Sequence, residues 1–187
     1  MTAKKKKIVL LGAVSSASSA GAEFDHACAE AMKALRDLSF EVALISANPT
    51  AASTDIDAPG PVYFEAVSPE NLAAAIEREK ATALLPVFGG GAAVNAATAP
   101  ATLKAMKKMG ASLMGVSETS RAASVDRRKF LKLMKIAGVE VPPGAVVSSI
   151  EEAEAAALEI GFPAALRPLM SEGGAGNSTA YNMEDLE

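Results

Sequence analysis

Apolar runs of strand length alternate with segments of helical periodicity over the first two thirds of this chain. Unlike half-exposed strands, these runs are continuously apolar, which is typical of strands buried on both faces. They occupy residues 8–11, 42–45, 62–64, 83–86 and 112–115. Helical segments between successive strands predict a parallel sheet with right-handed crossovers. Residues 1–120 therefore predict a Rossmann-like α/β domain.

The segments between these strands carry helix signals. Residues 23–38 repeat apolar side chains at helical spacing, and Cys28 lies on that apolar face. Ser68 and Pro69 form a helix start, with a serine N-cap and a proline at the first helical position. A single helix is predicted from Gly91 to about residue 108, and Gly110 is placed to end it.

A second domain is predicted over residues 121–187, after a boundary between 117 and 126. Its first helix spans 126–137, with these side chains predicted to face inward: Phe130, Leu131, Leu133 and Met134. A capping box from Ser149 to Glu152 opens a second helix that ends near Gly161. An apolar strand over 162–168 then leads into a glycine-rich loop, and a returning strand covers 179–181.

Composition excludes several classes of function. Half of the 187 residues are hydrophobic, aromatic residues make up 4%, and the net charge is −4, so neither a basic field nor stacking platforms for nucleic acid are expected. The uncharged segment 81–103 is interrupted by prolines and glycines, which predicts strand, loop and helix and no membrane span. A single cysteine excludes an internal disulfide and, with no signal peptide evident, predicts the cytoplasm or another reducing compartment, organelles included.

Two turns and two side chains of the first domain are candidate ligand sites. The first turn has Gly12 but lacks the remaining glycines of a dinucleotide fingerprint, which disfavours nicotinamide or flavin binding. Gly89–Gly91 is either an anion-binding helix start or a close-packed turn between strand and helix. His26 has no partners at metal spacing, so we expect a surface or capping role, and Cys28 is expected in the core.

The glycine-rich loop at 171–178 carries the clearest chemical signal. Glycines let backbone N–H groups approach phosphate oxygens closely, and Arg167 at the end of the preceding strand adds a forked, permanently charged donor. A charge that ends an apolar strand needs a partner, so Arg167 is a candidate ligand for phosphate. Arg127 and Arg128 open the helix after Asp126 and are either solvated charges or further donors to a nucleotide.

These residues resemble the large chain of carbamoyl phosphate synthetase, in the family's order and spacing from Ile8 onward. The resemblance is carried by the following motifs: Glu23-Phe24-Asp25, Ala34-Leu35-Arg36, Asn48-Pro49, Thr54-Asp55, Tyr63-Phe64-Glu65, Pro86 with Gly89-Gly90 and Asn95, Asp126-Arg127-Arg128 with Phe130, Gly161-Phe162-Pro163, Arg167-Pro168 and Gly173-Gly174. It implies a pre-ATP-grasp domain over 1–120 and the first, incomplete part of an ATP-grasp domain over 121–187. The motifs divide between the two homologous halves of the synthetase and favour the amino-terminal half.

The resemblance implies ATP and Mg²⁺ as cofactors, with ATP contacted by Arg127, Arg167, Gly173 and Gly174. The family's metal ligands would lie beyond residue 187, so we expect no metal site, no catalytic residue and no activity in this chain alone. The implied reaction forms carbamoyl phosphate, for arginine and pyrimidine biosynthesis, from bicarbonate and ammonia released by a glutaminase small subunit. The implied partners are the remainder of the synthetase or another subunit, and self-association is a further expectation.

Two interpretations remain open at the level of sequence. The first is a fragment or split subunit of the synthetase. The second is a degenerate pseudoenzyme that acts as a structural subunit of a larger assembly. Substitutions favour the second, because Val14, Ser15, Ser19 and Ala20 replace residues of the family's first turn, Gly91-Ala92 replaces its Gln-Thr, and Asn177 and Ser178 replace loop glycines. The retained Arg127, Arg167, Gly173 and Gly174 favour the first.

Overall fold

The computed structural model describes residues 6–13, 19–55, 57–169 and 176–186, which belong to two compact units, residues 1–118 and 119–187. The first unit contains a five-stranded parallel sheet in the order β3-β2-β1-β4-β5. Its strands are Lys7–Leu11 (β1), Glu41–Ile45 (β2), Val62–Tyr63 (β3), Ala83–Leu85 (β4) and Ser112–Leu113 (β5). The predicted Rossmann-like fold class is confirmed.

Helices cover both faces of this sheet, as the continuously apolar strands require. They are Ser19–Asp37 (α1), Pro69–Glu79 (α2), Gly90–Ala97 (α3) and Pro100–Met109 (α4). On one face, Cys28 and Met32 of α1 pack against side chains such as Ile8 and Leu44. On the other face, side chains of α2, α3 and α4 pack against β1, β2 and β4. The core therefore lies in two layers, one on each side of the sheet.

The helix predicted from Gly91 to about residue 108 was wrong, because the structure has two helices there. Ala99 is extended at φ −67° and ψ 147°, the conformation favoured before a proline. Pro100 also lacks the N–H that a continuous helix needs. The buried hydroxyl of Thr102 donates to the carbonyl of Ala96 at 2.7 Å, which ties the start of α4 to α3. Gly110 ends α4 in the left-handed region at φ 66°, as predicted.

The second unit contains three helices in the described part of the chain and one short antiparallel pair of strands. The helices are Glu118–Val125 (α5, which begins at the division), Arg127–Ile136 (α6) and Ile150–Ile160 (α7). The strands are Ala164–Leu166 (β6) and Ser178–Ala180 (β7). The predicted caps form: the Ser149 hydroxyl accepts from the Glu152 amide at 3.2 Å, and the Glu152 carboxylate accepts from the Ser148 amide at 2.7 Å.

The inward face predicted for α6 is only partly correct. Leu131 and Met134 are half-buried, but Phe130 is 37% exposed and Leu133 is 45% exposed. The reason is a lack of covering structure, since the only apolar side chains fully buried among the described residues of this unit are Ala157 and Ala180. Across the described ranges of both units, no helix combines the length and the apolar character needed to cross a membrane.

Candidate functional site

The strand order of the first unit reverses between β1 and β4, where open α/β sheets commonly bind ligands beyond the carboxyl ends of the strands. Gly12 follows β1, and its amide donates to the carbonyl of Ile45 at 2.9 Å. A Cβ on Gly12 would lie 3.0 Å from the Cβ of Ser46. Gly12 therefore lets the exits of β1 and β2 pack closely. Residues 14–18 of the predicted first turn lie outside the described residues.

Gly89 follows β4 and lies at the same edge of the sheet, next to the turn after β1. It is buried, and a Cβ there would overlap the side chain of Ala93 and lie 2.8 Å from the carbonyl oxygen of Gly12. Because neither neighbour is the flexible end of a long side chain, position 89 has no room for a larger residue. Of the two interpretations of Gly89–Gly91, the structure favours the close-packed turn.

Asp25 anchors a loop at the same edge of the sheet, a role that was not predicted from the sequence. Its carboxylate accepts from the amides of Ala52 and Ser53 at 2.5 and 3.1 Å, and from the Ser53 hydroxyl at 2.5 Å. The three donors belong to a short 3-10 turn at Ala52–Thr54 that follows β2. The partners lie 27 and 28 residues from Asp25, and no local motif marks such a contact.

Two side chains of the first unit have groups that could take part in catalysis, the Cys28 thiol and the His26 imidazole. Cys28 is fully buried, and burial, followed by the charge of Asp25, raises the pKa of its thiol to about 12. It therefore stays protonated at neutral pH and belongs to the core, as predicted. His26 is exposed on α1. Within the described ranges, no group of three or more histidine, cysteine or acidic side chains is arranged to hold a metal ion.

Arg127 occupies the first position of α6. Asp126 caps this helix, since its carboxylate accepts from the amides of Arg128 and Lys129 at 3.0 and 3.2 Å. The hydrogen bond from the Lys129 amide is the main reason that the pKa of Asp126 lies below its usual range. Arg127 itself is half-buried, and its guanidinium has no hydrogen bond or ion pair to another described residue. The cap therefore fixes the backbone that carries the Arg127 guanidinium.

Arg167 follows β6 directly and is exposed, again without an ion pair to a described residue. The pairing of Leu166 with Ser178 means that Arg167 begins the connection between the two strands. Gly173 and Gly174 lie in this connection but outside the described residues. At its end, Gly176 adopts φ 75° against the ring of Pro168. The structure thus confirms the returning strand, with a connection that starts at Arg167. It shows no direct contact between Arg167 and Arg127.

Comparisons with known proteins match the two parts of the chain in order. A family model described as the carbamoyl phosphate synthase preATP-grasp domain matches residues 4–122. A second model, described as the carbamoyl-phosphate synthase L chain, ATP binding domain, matches residues 126–187. Together these matches cover the chain almost completely.

Curated relatives agree with these models. The carbamoyl phosphate synthase large chain of Archaeoglobus fulgidus is 37% identical over 97% of this chain and 17% of its own length. The arginine-specific large chain of Arabidopsis thaliana, described as chloroplastic, is 37% identical over 97% of this chain and 15% of its own. The "large chain, N-terminal section" of Aquifex aeolicus is 35% identical over 97% and 33%. The chain thus spans a third or less of these relatives.

Solved structures show the same fold at low identity. The biotin carboxylase domain of a single-chain bacterial carboxylase aligns with a TM-score of 0.65 at 16% identity, over 97% of this chain and 38% of its own. The N5-carboxyaminoimidazole ribonucleotide synthetase of Thermotoga maritima aligns with a TM-score of 0.64 at 15% identity, over 98% and 42%. These likenesses show that the chain shares its fold with these proteins.

Proposed function

Because this chain belongs to the carbamoyl phosphate synthase large-chain family, we propose that it contributes to the ATP-dependent formation of carbamoyl phosphate. The observation that carries this proposal is the ordered match of both family models over residues 4–122 and 126–187. The substrates would be bicarbonate and ammonia derived from glutamine. We assign the chain to the amino-terminal half of the synthetase, and the match to the N-terminal section of the Aquifex protein supports this.

We assign phosphate binding to Arg127 and Arg167, together with the backbone at Gly173 and Gly174. Both arginines are without ion-pair partners among the described residues, and Arg167 begins the connection that contains the two glycines. A guanidinium offers a fork of N–H donors that matches phosphate oxygens, and its charge is permanent at any physiological pH. Their role would be to hold and orient the nucleotide.

Mg²⁺ would offset phosphate charge in the complete enzyme. Within the described residues, no group of three or more histidine, cysteine or acidic side chains is arranged to hold an ion. We therefore propose that the remainder of the synthetase, or another subunit, supplies the metal ligands, and that a glutaminase subunit supplies ammonia. On this proposal the chain is inactive alone. It would work in the cytoplasm or another reducing compartment, on the route to arginine and pyrimidines.

A second candidate function is a degenerate subunit that retains the fold without the chemistry. The specific observation in its favour is the pair Asn177, at the end of the connection, and Ser178, at the start of β7, where the family has glycines. Side chains there would hinder close approach of the backbone to phosphate. By contrast, the close-packed glycines Gly12 and Gly89, which serve the fold, are present.

ATP binding separates the two candidates. A fluorescent ATP analogue would be titrated with the 187-residue chain and displaced with ATP, for wild type and for the Arg127→Ala, Arg167→Ala and Arg128→Ala variants. Arg128→Ala is the matched control, since Arg128 is exposed and its replacement removes the same charge. We expect the first two variants to weaken ATP binding about tenfold or more, because hydrogen bonds to charged groups contribute about 1.5–3 kcal/mol. The control should change affinity less than about twofold.

Equal effects of all three variants, or no binding at millimolar ATP, would favour the degenerate subunit. The chain should also release no carbamoyl phosphate when incubated with ATP, Mg²⁺, bicarbonate and ammonia. Turnover that copurifies with the chain and disappears in the Arg167→Ala variant would contradict the statement that it is inactive alone.

A further inference from the structure

Helix α6 presents a surface that is both basic and apolar. Its ten residues include five cations and no acidic residue: Arg127, Arg128, Lys129, Lys132 and Lys135. Phe130, Leu133 and Ile136 are 37%, 45% and 74% exposed. Their spacing of three places them along one side of the helix, next to Lys129 and Lys132. This surface, called the basic face below, consists of those three apolar side chains and the cations beside them.

Helix α7 presents the opposite charge in the same unit. Its eleven residues include four glutamates and no cation: Glu151, Glu152, Glu154 and Glu159. Leu158 is 75% exposed, and Ile150 and Ile160 are 51% and 41% exposed. Glu154 and Glu151 lie four and seven residues before Leu158 and share its side of the helix. This surface, called the acidic face below, consists of Leu158, Glu151, Glu154 and the adjacent Glu159.

Neither face is satisfied within the part of the chain that the structure describes. The ion pair that the basic face makes among the described residues is local, between Lys129 and Asp126 at 3.7 Å. Among the described residues no ion pair joins α6 to α7. Several exposed apolar side chains in line, flanked by uncompensated charge of one sign, are typical of a protein interface.

We propose that the basic face of one copy docks on the acidic face of a second copy, with the reciprocal contact completing a two-fold dimer. Charge decides this arrangement. Two basic faces brought together would oppose four lysines, and two acidic faces would oppose six glutamates, whereas the crossed pairing brings opposite charges together. A two-fold axis forms both crossed contacts at once and closes the assembly. The apolar side chains supply the binding energy, and the charges select the pairing.

Complementary charge reversal tests the dimer. Sedimentation velocity would be measured over a concentration series for wild type, for Lys129→Glu/Lys132→Glu and for Glu154→Lys/Glu159→Lys. These positions spare the caps, because a glutamate at the third position of α6 suits a helix start and Glu154 and Glu159 lie beyond the first turn of α7. Each variant alone should raise the dimer dissociation constant about tenfold or more, since it replaces attraction by repulsion at both contacts.

An equimolar mixture of the two variants should recover dimerisation to within a few-fold of wild type, because each reversed face then meets a complementary one. A variant that had merely misfolded would not be rescued by mixing. The matched control is Lys104→Glu/Lys107→Glu, an equal charge change at exposed positions of α4 in the other unit, and it should leave the dimer unchanged. A wild type that stays monomeric at 100 μM protein (a concentration on the order of those that reveal weak dimers), or a mixture that stays monomeric, would overturn the proposal.

The dimer stands apart from the proposed function. It rests on the faces of α6 and α7, whereas ATP binding rests on Arg127, Arg167 and the connection after β6. ATP titration of the monomeric Glu154→Lys/Glu159→Lys variant therefore separates the two. ATP binding without dimerisation would leave the proposed function intact, and dimerisation without ATP binding would leave this inference intact.

Discussion

The two units of this chain differ sharply in how far they bury their apolar side chains. In the first unit, strands and helices enclose side chains such as Val9, Leu44 and Leu84 completely, on both faces of the sheet. In the described part of the second unit, the fully buried apolar residues are two alanines, while Ile136 and Leu158 are about three-quarters exposed. The first unit therefore has a core of its own, and the second has apolar surface that calls for a partner.

Polar contacts follow the same division. In the first unit, the Lys7 ammonium donates to the Glu79 carboxylate 72 residues away, and the Thr82 hydroxyl donates to the Lys7 carbonyl 75 residues away. Side-chain hydrogen bonds that join two described residues within 126–169 and 176–186 link positions at most four apart. Local bonds define helix ends, but long-range bonds hold a tertiary structure together.

Truncating one leucine in each unit gives the strongest test of the difference in burial between the two units. Leu84→Ala removes a fully buried side chain from the central part of the sheet, and such changes cost about 2–5 kcal/mol through lost burial and the cavity left behind. Leu158→Ala removes a side chain that is 75% exposed and should cost less than about 0.5 kcal/mol. Urea unfolding followed by circular dichroism measures both.

Labelling of Cys28 gives an independent readout of the first unit. Because its thiol is buried and its pKa is raised to about 12, a thiol reagent reacts only when the unit opens. Leu84→Ala should accelerate labelling in native buffer by about a hundredfold, as a loss of roughly 3 kcal/mol implies. Similar acceleration by Leu158→Ala would show that the second unit is part of the same cooperative core.

Much of the fold follows from short-range sequence signals. Continuous apolar runs predicted the parallel strands, and Ser68 with Pro69 and Ser149 with Glu152 predicted two helix starts that the structure contains. The break between α3 and α4 was missed although Pro100 marks it, because an alanine-rich segment of helical periodicity outweighed one proline. The inward face of α6 was only partly correct for a different reason: periodicity indicates which side chains share a face of the helix, but it does not supply the structure that covers them.

The candidate site divides in the same way. Arg127 and Arg167 were singled out because a charge at the start of a helix or the end of a strand stands out in sequence, and their role in binding phosphate stays a prediction. The contact of Asp25 with the 3-10 turn was missed because its partners are 27 and 28 residues away. The tight packing of Gly89 was one of two open interpretations, since sequence does not reveal which atoms surround a glycine.

Removal of the Asp25 carboxylate tests whether long-range polar contacts stabilise the first unit. Asp25→Ala leaves the amides of Ala52 and Ser53 and the Ser53 hydroxyl without their acceptor. We expect a loss of about 1–3 kcal/mol, the usual cost of breaking hydrogen bonds to a charged group. Asp37→Ala is the control, because Asp37 is exposed at the end of the same helix, where a negative charge is slightly unfavourable. Equal destabilisation by both variants would mean that the turn does not depend on Asp25.

The smallest expected effect is a pH dependence confined to the first unit. The Glu79 side chain is 9% exposed and lies 2.8 Å from the Lys7 ammonium, and it also accepts from the Tyr63 hydroxyl. Burial alone raises the pKa of Glu79, but the hydrogen bonds from Lys7 and Tyr63 outweigh it and hold the pKa below its ordinary value of 4.5. A depressed folded-state pKa stabilises the protein above the unfolded value, and this contribution is lost as the pH falls through the folded-state pKa.

Glu79→Gln should therefore be less stable than wild type at pH 7, by about 1 kcal/mol for one partly buried pair, and the difference should vanish at pH values well below 4.5, the ordinary pKa. Urea midpoints measured over that range would show it. Glu77→Gln is the matched control, because Glu77 on the same helix pairs with Lys108 at 2.8 Å while both side chains are largely exposed. Its effect at pH 7 should be smaller than that of Glu79→Gln. A constant difference between Glu79→Gln and wild type would show that the contact with Lys7 acts through packing and not through charge.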